Sequence, residues 1–407
     1  MISNKKQLKT LIKLLTISIG FFLISGFLFK SALNDPTALS KEILSPAESL
    51  YEYGISNREP FKYRVLFSSL VELTYSFFSE PQNNQKFYWI YIFWSGFFYV
   101  TAVLSFYILL NFLGFNNRYS ILGTALFLMS PAIIFAFSLP VHTREDMMAY
   151  TILNIGLICL IRNKKIGVLL CSILGVLCRE TLLILPLIFL LYRNKNIAFR
   201  WGTLFISLLA FFSIRIVLGS EGYDIIGMGL KYNLGNIEGT IGFFFLVFSF
   251  MWPVFFYDIY CTITKAGKKL SDNPISLLRK SSLLVFTLVF ITTIIGGRIN
   301  EIRLLFIIFP WVIPTFLYYL KYHLNAHIKV IMTKEYKLYA ALAGGACLLL
   351  YLIVYYNIGL IEGGVHDVPY VQWATITCIY LYVFFLSIPL YISMIKHTHF
   401  SGKMLSN

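Results

Sequence analysis

Charge is what this chain most lacks. Only 13% of its 407 residues are Asp, Glu, Lys or Arg, against roughly 25% in an ordinary soluble domain. That shortage excludes a soluble enzyme, a fibrous protein and a solvated, disordered chain, all of which need more polar surface. Cysteine is also scarce. Cys159, Cys171, Cys178, Cys261, Cys347 and Cys378 all lie inside apolar runs, so no loop offers a disulfide pair, a CxxC or a Cys/His zinc spacing. They read as small core residues. There is no repeat of fixed period, no low-complexity tract and no stretch composed like a soluble domain. Apolar residues are abundant instead: 58% of the chain is apolar, with 38 Phe and 27 Tyr.

These residues are gathered into runs at about 11–30, 87–112, 119–139, 146–161, 166–178, 181–192, 200–218, 240–264, 281–297, 302–320, 337–358 and 372–395. Many approach the 17–25 residues a helix needs to cross a hydrocarbon layer of about 30 Å. The expected fold class is therefore an all-α polytopic membrane protein with about 12 transmembrane segments, residues 1–407 forming a single transmembrane domain. The first run has a basic lead of Lys5, Lys6 and Lys9 but no small-residue cleavage site after it, and is expected to stay as an anchor.

The net charge of +15 would suggest nucleic acid in a soluble protein. Here positive-inside topology accounts for it, and no nucleic-acid partner is expected. With both termini cytosolic, most Lys and Arg fall in inner segments, including Arg162/Lys164/Lys165, Arg193/Lys195/Arg200, Lys265/Lys268/Lys269 and Arg279/Lys280. The acids do the reverse: Asp272 and Glu335 are inner, Asp258 is in a helix, and the others lie on or near the outer side. Acids count little in the orientation rule, so a working outer face is the expected cause. Residues 166–192 have basic clusters at both ends and Arg179-Glu180 in the middle. They read as a hairpin of two short helices, each arm about 19 Å long at ~1.5 Å per residue. The outer loop 31–86 is the longest. In it Arg64, Ser68, Glu72 and Ser76 recur every fourth residue among apolar neighbours, which predicts an amphipathic helix over 64–78 lying in the outer interface.

Ionisable groups near membrane depth are costly, so each is a functional candidate. Four clusters qualify, all on the expected outer side. The long loop carries Asp35, Glu48, Glu52, Glu59 and Arg64. His142-Thr143-Arg144-Glu145-Asp146 opens a helix, Arg179-Glu180-Thr181 turns the hairpin, and Arg298-Ile299-Asn300-Glu301-Ile302-Arg303 precedes a later helix. Each has a plainer reading: helix capping by Glu145 and Asp146, a structural ion pair of Arg179 with Glu180, or snorkelling of Arg298 and Arg303 to headgroups. Together they suit a lipid phosphate carrying a polar head, because arginine grips phosphate with a planar fork at any relevant pH. A nearby carboxylate can deprotonate an incoming hydroxyl while the phosphate leaves.

In order along the chain stand Pro60-Phe61-Lys62-Tyr63-Arg64-Val65-Leu66, Asp146 at a helix start, Arg179-Glu180-Thr181 running into Leu182-Leu183-Ile184-Leu185-Pro186, and Glu301-Ile302-Arg303-Leu304 ahead of a Pro-bearing helix. In this order the sequence resembles the bacterial membrane proteins related to GT-C (C-type) glycosyltransferases, over roughly residues 11–320. The Lys-, Asn-, Ile- and Phe-rich chain is also similar to surface-polysaccharide and serotype-conversion glycosyltransferases. The resemblance implies a GT-C-like helical fold and a polyprenyl-phosphate sugar as donor. It also implies a glycan or lipid-linked acceptor and a catalytic acid in the first outer loop. That loop lacks an acidic doublet, so the base is open among Asp146, Asp35 and Glu48. Arg64, Arg144, Arg179, Arg298 and Arg303 are expected to bind the donor phosphate, with Glu145, Glu180 and Glu301 in support. No cofactor is expected, and a divalent metal stays open. The implied place is the bacterial plasma membrane, with the site on the outer face. Two other functions fit the same outline, an O-antigen polymerase and a lipid-linked-oligosaccharide flippase.

Overall fold

The computed structural model describes residues 10–20, 22–23, 64–78, 84–134, 145–191, 196–219, 226–264, 274–299, 301–358, 364–365 and 368–400. Wherever an apolar run lies among them it carries helix. In chain order these are α1 (Thr10–Gly20), α2 (Val65–Phe78), α3 (Asn84–Phe112), α4 (Asn117–Leu128), α5 (Asp146–Ile161), α6 (Lys165–Cys178) and α7 (Ile184–Leu191). There follow α8 (Ile197–Leu218), α9 (Ile237–Phe248), α10 (Trp252–Ile263), α11 (Pro274–Gly296), α12 (Phe309–Ile331), α13 (Lys334–Ile358) and α14 (Tyr370–Phe400). Between α13 and α14 a two-residue antiparallel ladder pairs Gly364–Val365 with Val368–Pro369. The architecture is that of a helical, multi-pass membrane protein.

Among the described residues six stretches are long and apolar enough to cross a membrane: Trp89–Phe112, Ile197–Leu218, Ile237–Ile263, Pro274–Gly296, Lys334–Asn357 and Trp373–Ile395. This is fewer than the dozen runs suggest, for two physical reasons. Several runs make short helices; α5, with 16 residues, is about 24 Å long at ~1.5 Å per residue. Others are cut at prolines, which lack the N–H and crowd the preceding turn. Pro131 follows the break after α4 and Pro310 opens α12; Pro253 opens α10 inside the stretch Ile237–Ile263, which is still long enough to span. At the last break Ser249 takes φ +41°. The indole of Trp252 donates back to the Phe244 carbonyl at 2.9 Å, which satisfies a backbone acceptor near the end of α9.

The chain doubles back between α6 and α7. Arg179 is extended (φ −159°, ψ 134°) and Glu180–Leu183 form a single 3-10 turn. A Cβ placed on Gly156 of α5 would lie 2.4 Å from Leu185 and 3.2 Å from Cys171. One point on α5 thus touches α6 eight residues before Arg179 and α7 six residues after it, so both arms run back along α5. Gly156 permits that approach because it has no side chain.

The core beneath this turn is aromatic. Phe309 lies 4.9 Å from Phe106, 4.8 Å from Phe127 and 5.3 Å from both Tyr150 and Phe306, centroid to centroid. Ring contacts at such spacings contribute about 0.5–1.5 kcal/mol each beyond area burial. They clamp α3, α4, α5 and α12 at one level. Helix α2 packs on α3 through buried Phe67 and Val71, with Phe67 edge-on to Tyr91 at 5.5 Å. The stripe expected on this helix divides: Glu72 and Ser76 are exposed, whereas Arg64, just before the helix begins, is buried.

Candidate functional site

The site gathers at one end of the bundle, where α5 begins, α6 turns into α7, α8 and α11 finish, and the Glu301–Arg303 segment leads toward α12. Among the described residues eight charged side chains alternate in sign there. In one line, Glu301 accepts from Arg303 Nη2 at 2.6 Å, Arg303 Nη1 lies 3.6 Å from Asp146 Oδ2, and Asp146 Oδ1 pairs with Arg179 Nη1. In the other, Glu145 accepts from Arg64 Nη1, Arg64 Nε donates to Glu180 Oε2 at 3.2 Å, and Arg215 Nη2 donates to Glu180 Oε1 at 3.4 Å. The lines are joined covalently, since Glu145-Asp146 and Arg179-Glu180 are sequence neighbours.

Local backbone explains why neighbours face different partners. Successive residues at the start of a helix are rotated by about 100°, which separates Glu145 from Asp146. Extended backbone at Arg179 sends adjacent side chains to opposite sides, which separates Arg179 from Glu180. Neither acid acts as the expected cap: Glu145 stands at the N-cap position of α5 without a side-chain cap, and Asp146 is already helical and turned to Arg179.

Burial grades across the site. The side chains of Arg179 and Asp146 are 1% and 2% exposed, whereas Glu180, Arg215 and Glu301 are 23–26% exposed. The formal charges of the eight groups cancel, and the inner pair depends on that cancellation because a lone buried charge costs several kcal/mol. Among the described residues Nε and Nη2 of Arg179 have no hydrogen-bond partner, so its guanidinium keeps capacity for another acceptor. The aromatic floor holds the frame. Tyr150, one turn below Asp146, donates to the Arg303 carbonyl at 3.3 Å, and the Cys178 thiol donates to the Glu145 carbonyl at 3.5 Å.

Of the residues singled out from sequence, Arg64, Glu145, Asp146, Arg179, Glu180, Glu301 and Arg303 converge. Asp35, Glu48 and Arg144 lie outside the described residues. Arg303, not Arg298, makes the link to Asp146; the Arg298 guanidinium rests over the Tyr232 ring at 4.6 Å. Among the described residues no group of three or more His, Cys, Asp and Glu is placed to hold a metal ion. Arg215 escaped the sequence reading of the site. Its signal was an arginine near the C-terminal end of a mostly apolar 22-residue helix, at the opposite end from Arg200.

Asn233 also went unnoticed. Residues 219–239, left between the apolar runs 200–218 and 240–264, are expected to form an outer loop, but the segment is helical over Ile226–Lys231 and Tyr232–Gly235 and Asn233 is buried there. Its Nδ2 donates to the carbonyls of Ile294 and Gly297, both at 2.9 Å, and its Oδ1 accepts from the Ile299 amide at 3.0 Å. Those bonds tie down the end of α11 just before Glu301 and Arg303. Asn233→Ala should lower stability by about 1–3 kcal/mol, the cost of stranding buried backbone groups. Asn233→Asp should do no better, because an ionised carboxylate cannot donate to the two carbonyls. Thermal unfolding of the detergent-solubilised variants checks this; a wild-type midpoint in both would refute the clamp.

No family model, curated protein or solved structure matches the chain.

Proposed function

We propose that the chain is a membrane glycosyltransferase, moving a sugar from a polyprenyl-phosphate donor to a cell-surface glycan or lipid-linked acceptor. The reading places it in the bacterial plasma membrane with both termini cytosolic and the site on the outer face. The observation that carries it is Asp146, held between Arg179 and Arg303 where segments distant in sequence meet. Asp146 takes the proton of the acceptor hydroxyl, and the resulting oxygen attacks the anomeric carbon. The bond from that carbon to the phosphate oxygen breaks, and the phosphate leaves with the electron pair. Arginines beside the leaving phosphate stabilise its charge. Arg179 and Arg303 fix the position of the Asp146 carboxylate between them. The apolar helices around the site supply a lipid-facing wall from which a polyprenyl chain can present its phosphate.

Arg303 spans Asp146 and Glu301 with two nitrogens of one guanidinium. Lysine keeps the charge and loses that fork. Arg303→Lys should therefore lower donor use at least tenfold, the equivalent of losing a charge-assisted hydrogen bond of about 1.5 kcal/mol. Initial rates in reconstituted vesicles, with a radiolabelled polyprenyl-phosphate sugar titrated, provide the test. Unaltered donor dependence would reduce Arg303 to a brace, and absence of transfer by the wild-type chain across a panel of such donors would reject the enzyme reading.

A further inference from the structure

Glu180 occupies an unusual position. Its two carboxylate oxygens are each held by a different arginine: Oε2 by Arg64 Nε at 3.2 Å and Oε1 by Arg215 Nη2 at 3.4 Å. The arginines come from segments far apart in the chain, one just before α2 and the other near the end of α8. Each is secured independently of Glu180. Arg64 also pairs with Glu145, while Arg215 donates from Nη1 to the Phe211 carbonyl at 3.2 Å and stacks over the Phe211 ring at 3.6 Å. Each guanidinium therefore keeps a partner of its own when Glu180 is removed. Glu180 itself sits on one 3-10 turn after the extended Arg179, with no long helix to fix it. It lies at the open margin, where its side chain and that of Arg215 are about a quarter exposed.

We propose that Arg64 and Arg215 form a binding site for a phosphate ester, and that Glu180 is its resident anion, displaced when the phosphate enters. A carboxylate held by two guanidiniums through separate oxygens has the charge and the oxygen geometry that arginine forks also recognise in phosphate. The resident carboxylate offsets the charge of the two arginines while no phosphate is bound. It also makes occupation competitive, because an entering phosphate must offer the arginines more than one carboxylate does. A phosphate with several anionic oxygens can satisfy both forks at once. The site assigns to Arg215 a role in ligand binding and to Glu180 that of a competitor. It lies beside Asp146 and refines the glycosyltransferase reading, on which its link to a sugar donor rests; phosphate binding itself does not depend on that reading.

The test uses the full chain in detergent and sugar-free probes, dodecyl phosphate and inorganic phosphate, with affinity measured by calorimetry. Glu180→Gln keeps the shape and removes the competing charge, so it should bind dodecyl phosphate about tenfold more tightly, equivalent to about 1.4 kcal/mol. Arg215→Gln should weaken binding by a similar factor, and Arg215→Lys should recover only part of it because it lacks the fork. The Glu180→Gln/Arg215→Gln pair should fall below Glu180→Gln alone. An unchanged or weaker affinity in Glu180→Gln overturns the proposal, as does an Arg215→Gln variant that binds like wild type. Should Glu180→Gln fail to accumulate, the two Arg215 variants decide by the same criteria. Tighter binding of both probes identifies phosphate at large as the ligand; tightening confined to dodecyl phosphate identifies a lipid-borne ester. If these shifts appear and no sugar is transferred from any donor, the phosphate site stands and the glycosyltransferase reading falls. If sugar is transferred and these variants leave phosphate binding unchanged, the phosphate site falls and the glycosyltransferase reading stands.

Discussion

Asp146→Asn is expected to abolish glycosyl transfer, lowering turnover by about 10²–10⁴-fold, the usual contribution of a general base. Asparagine has the same shape and can still accept from Arg179, but it cannot take a proton from a hydroxyl. Helix capping does not complicate the result, because Asp146 lies inside α5 and is directed at Arg179. Stability does complicate it. Losing the negative charge leaves Arg179, 1% exposed, with less compensation, and breaking such a buried pair costs up to about 3–5 kcal/mol. A second variant separates the effects. Asp146→Asn with Arg179→Gln removes both charges and should regain most of the lost stability while remaining inactive. If the double variant recovers transfer as well as stability, Asp146 is a structural counter-ion. If folded Asp146→Asn turns over normally, the base lies elsewhere, and Asp35→Asn, Glu48→Gln, Glu180→Gln and Glu301→Gln are the variants to compare.

The largest loss of stability is expected at the other end of the bundle, from Asp258→Ala. Asp258 on α10 is fully buried and accepts from Arg279 Nε at 2.7 Å and from the Tyr319 hydroxyl at 3.2 Å. Arg279, on α11, is buried beside the Tyr318 ring at 5.1 Å. Three helices are thus tied at one carboxylate. Alanine would strand the arginine in an apolar interior and cost about 3–5 kcal/mol. Replacing both charges, as Asp258→Leu with Arg279→Met, should be far milder, since well-packed apolar groups often match a buried ion pair in stability. From Arg279 to the end of α11 at Gly296 is about 25 Å at ~1.5 Å per residue, so the double variant should transfer sugar normally. Thermal unfolding and transfer rates on the same preparations check both statements. A silent Asp258→Ala would refute the tie. A folded but inactive double variant would give the pair a functional part, as in a transport path, where intramembrane charges are expected to work.

The apolar runs were legible because lipid-compatible helices are specified residue by residue: each buried side chain and each backbone hydrogen bond within its own segment contributes locally. The breaks beside Pro131, Pro253 and Pro310 were not read, since the runs 119–139, 240–264 and 302–320 pass through them, and among the described residues six stretches are long and apolar enough to span. The candidate charges could also be picked out singly, since an ionisable residue in an apolar setting stands out wherever it falls.

Which charges meet was not legible. Arg64 lies 81 positions from Glu145 and 116 from Glu180, and no local pattern records such a pairing. Arg215 looked like the edge of a helix, Arg298 and Arg303 looked alike, and Asn233 looked like an exposed loop residue. Their places follow from how α6 packs on α5 and α8, while the aromatic cluster at Phe309 clamps α3, α4, α5 and α12. That packing is the sum of many weak contacts between distant segments. The sequence by itself therefore determined helix, apolar length and the stock of possible site residues. The tertiary structure decided their partners and their burial, because a charge's environment is set by what packs against it.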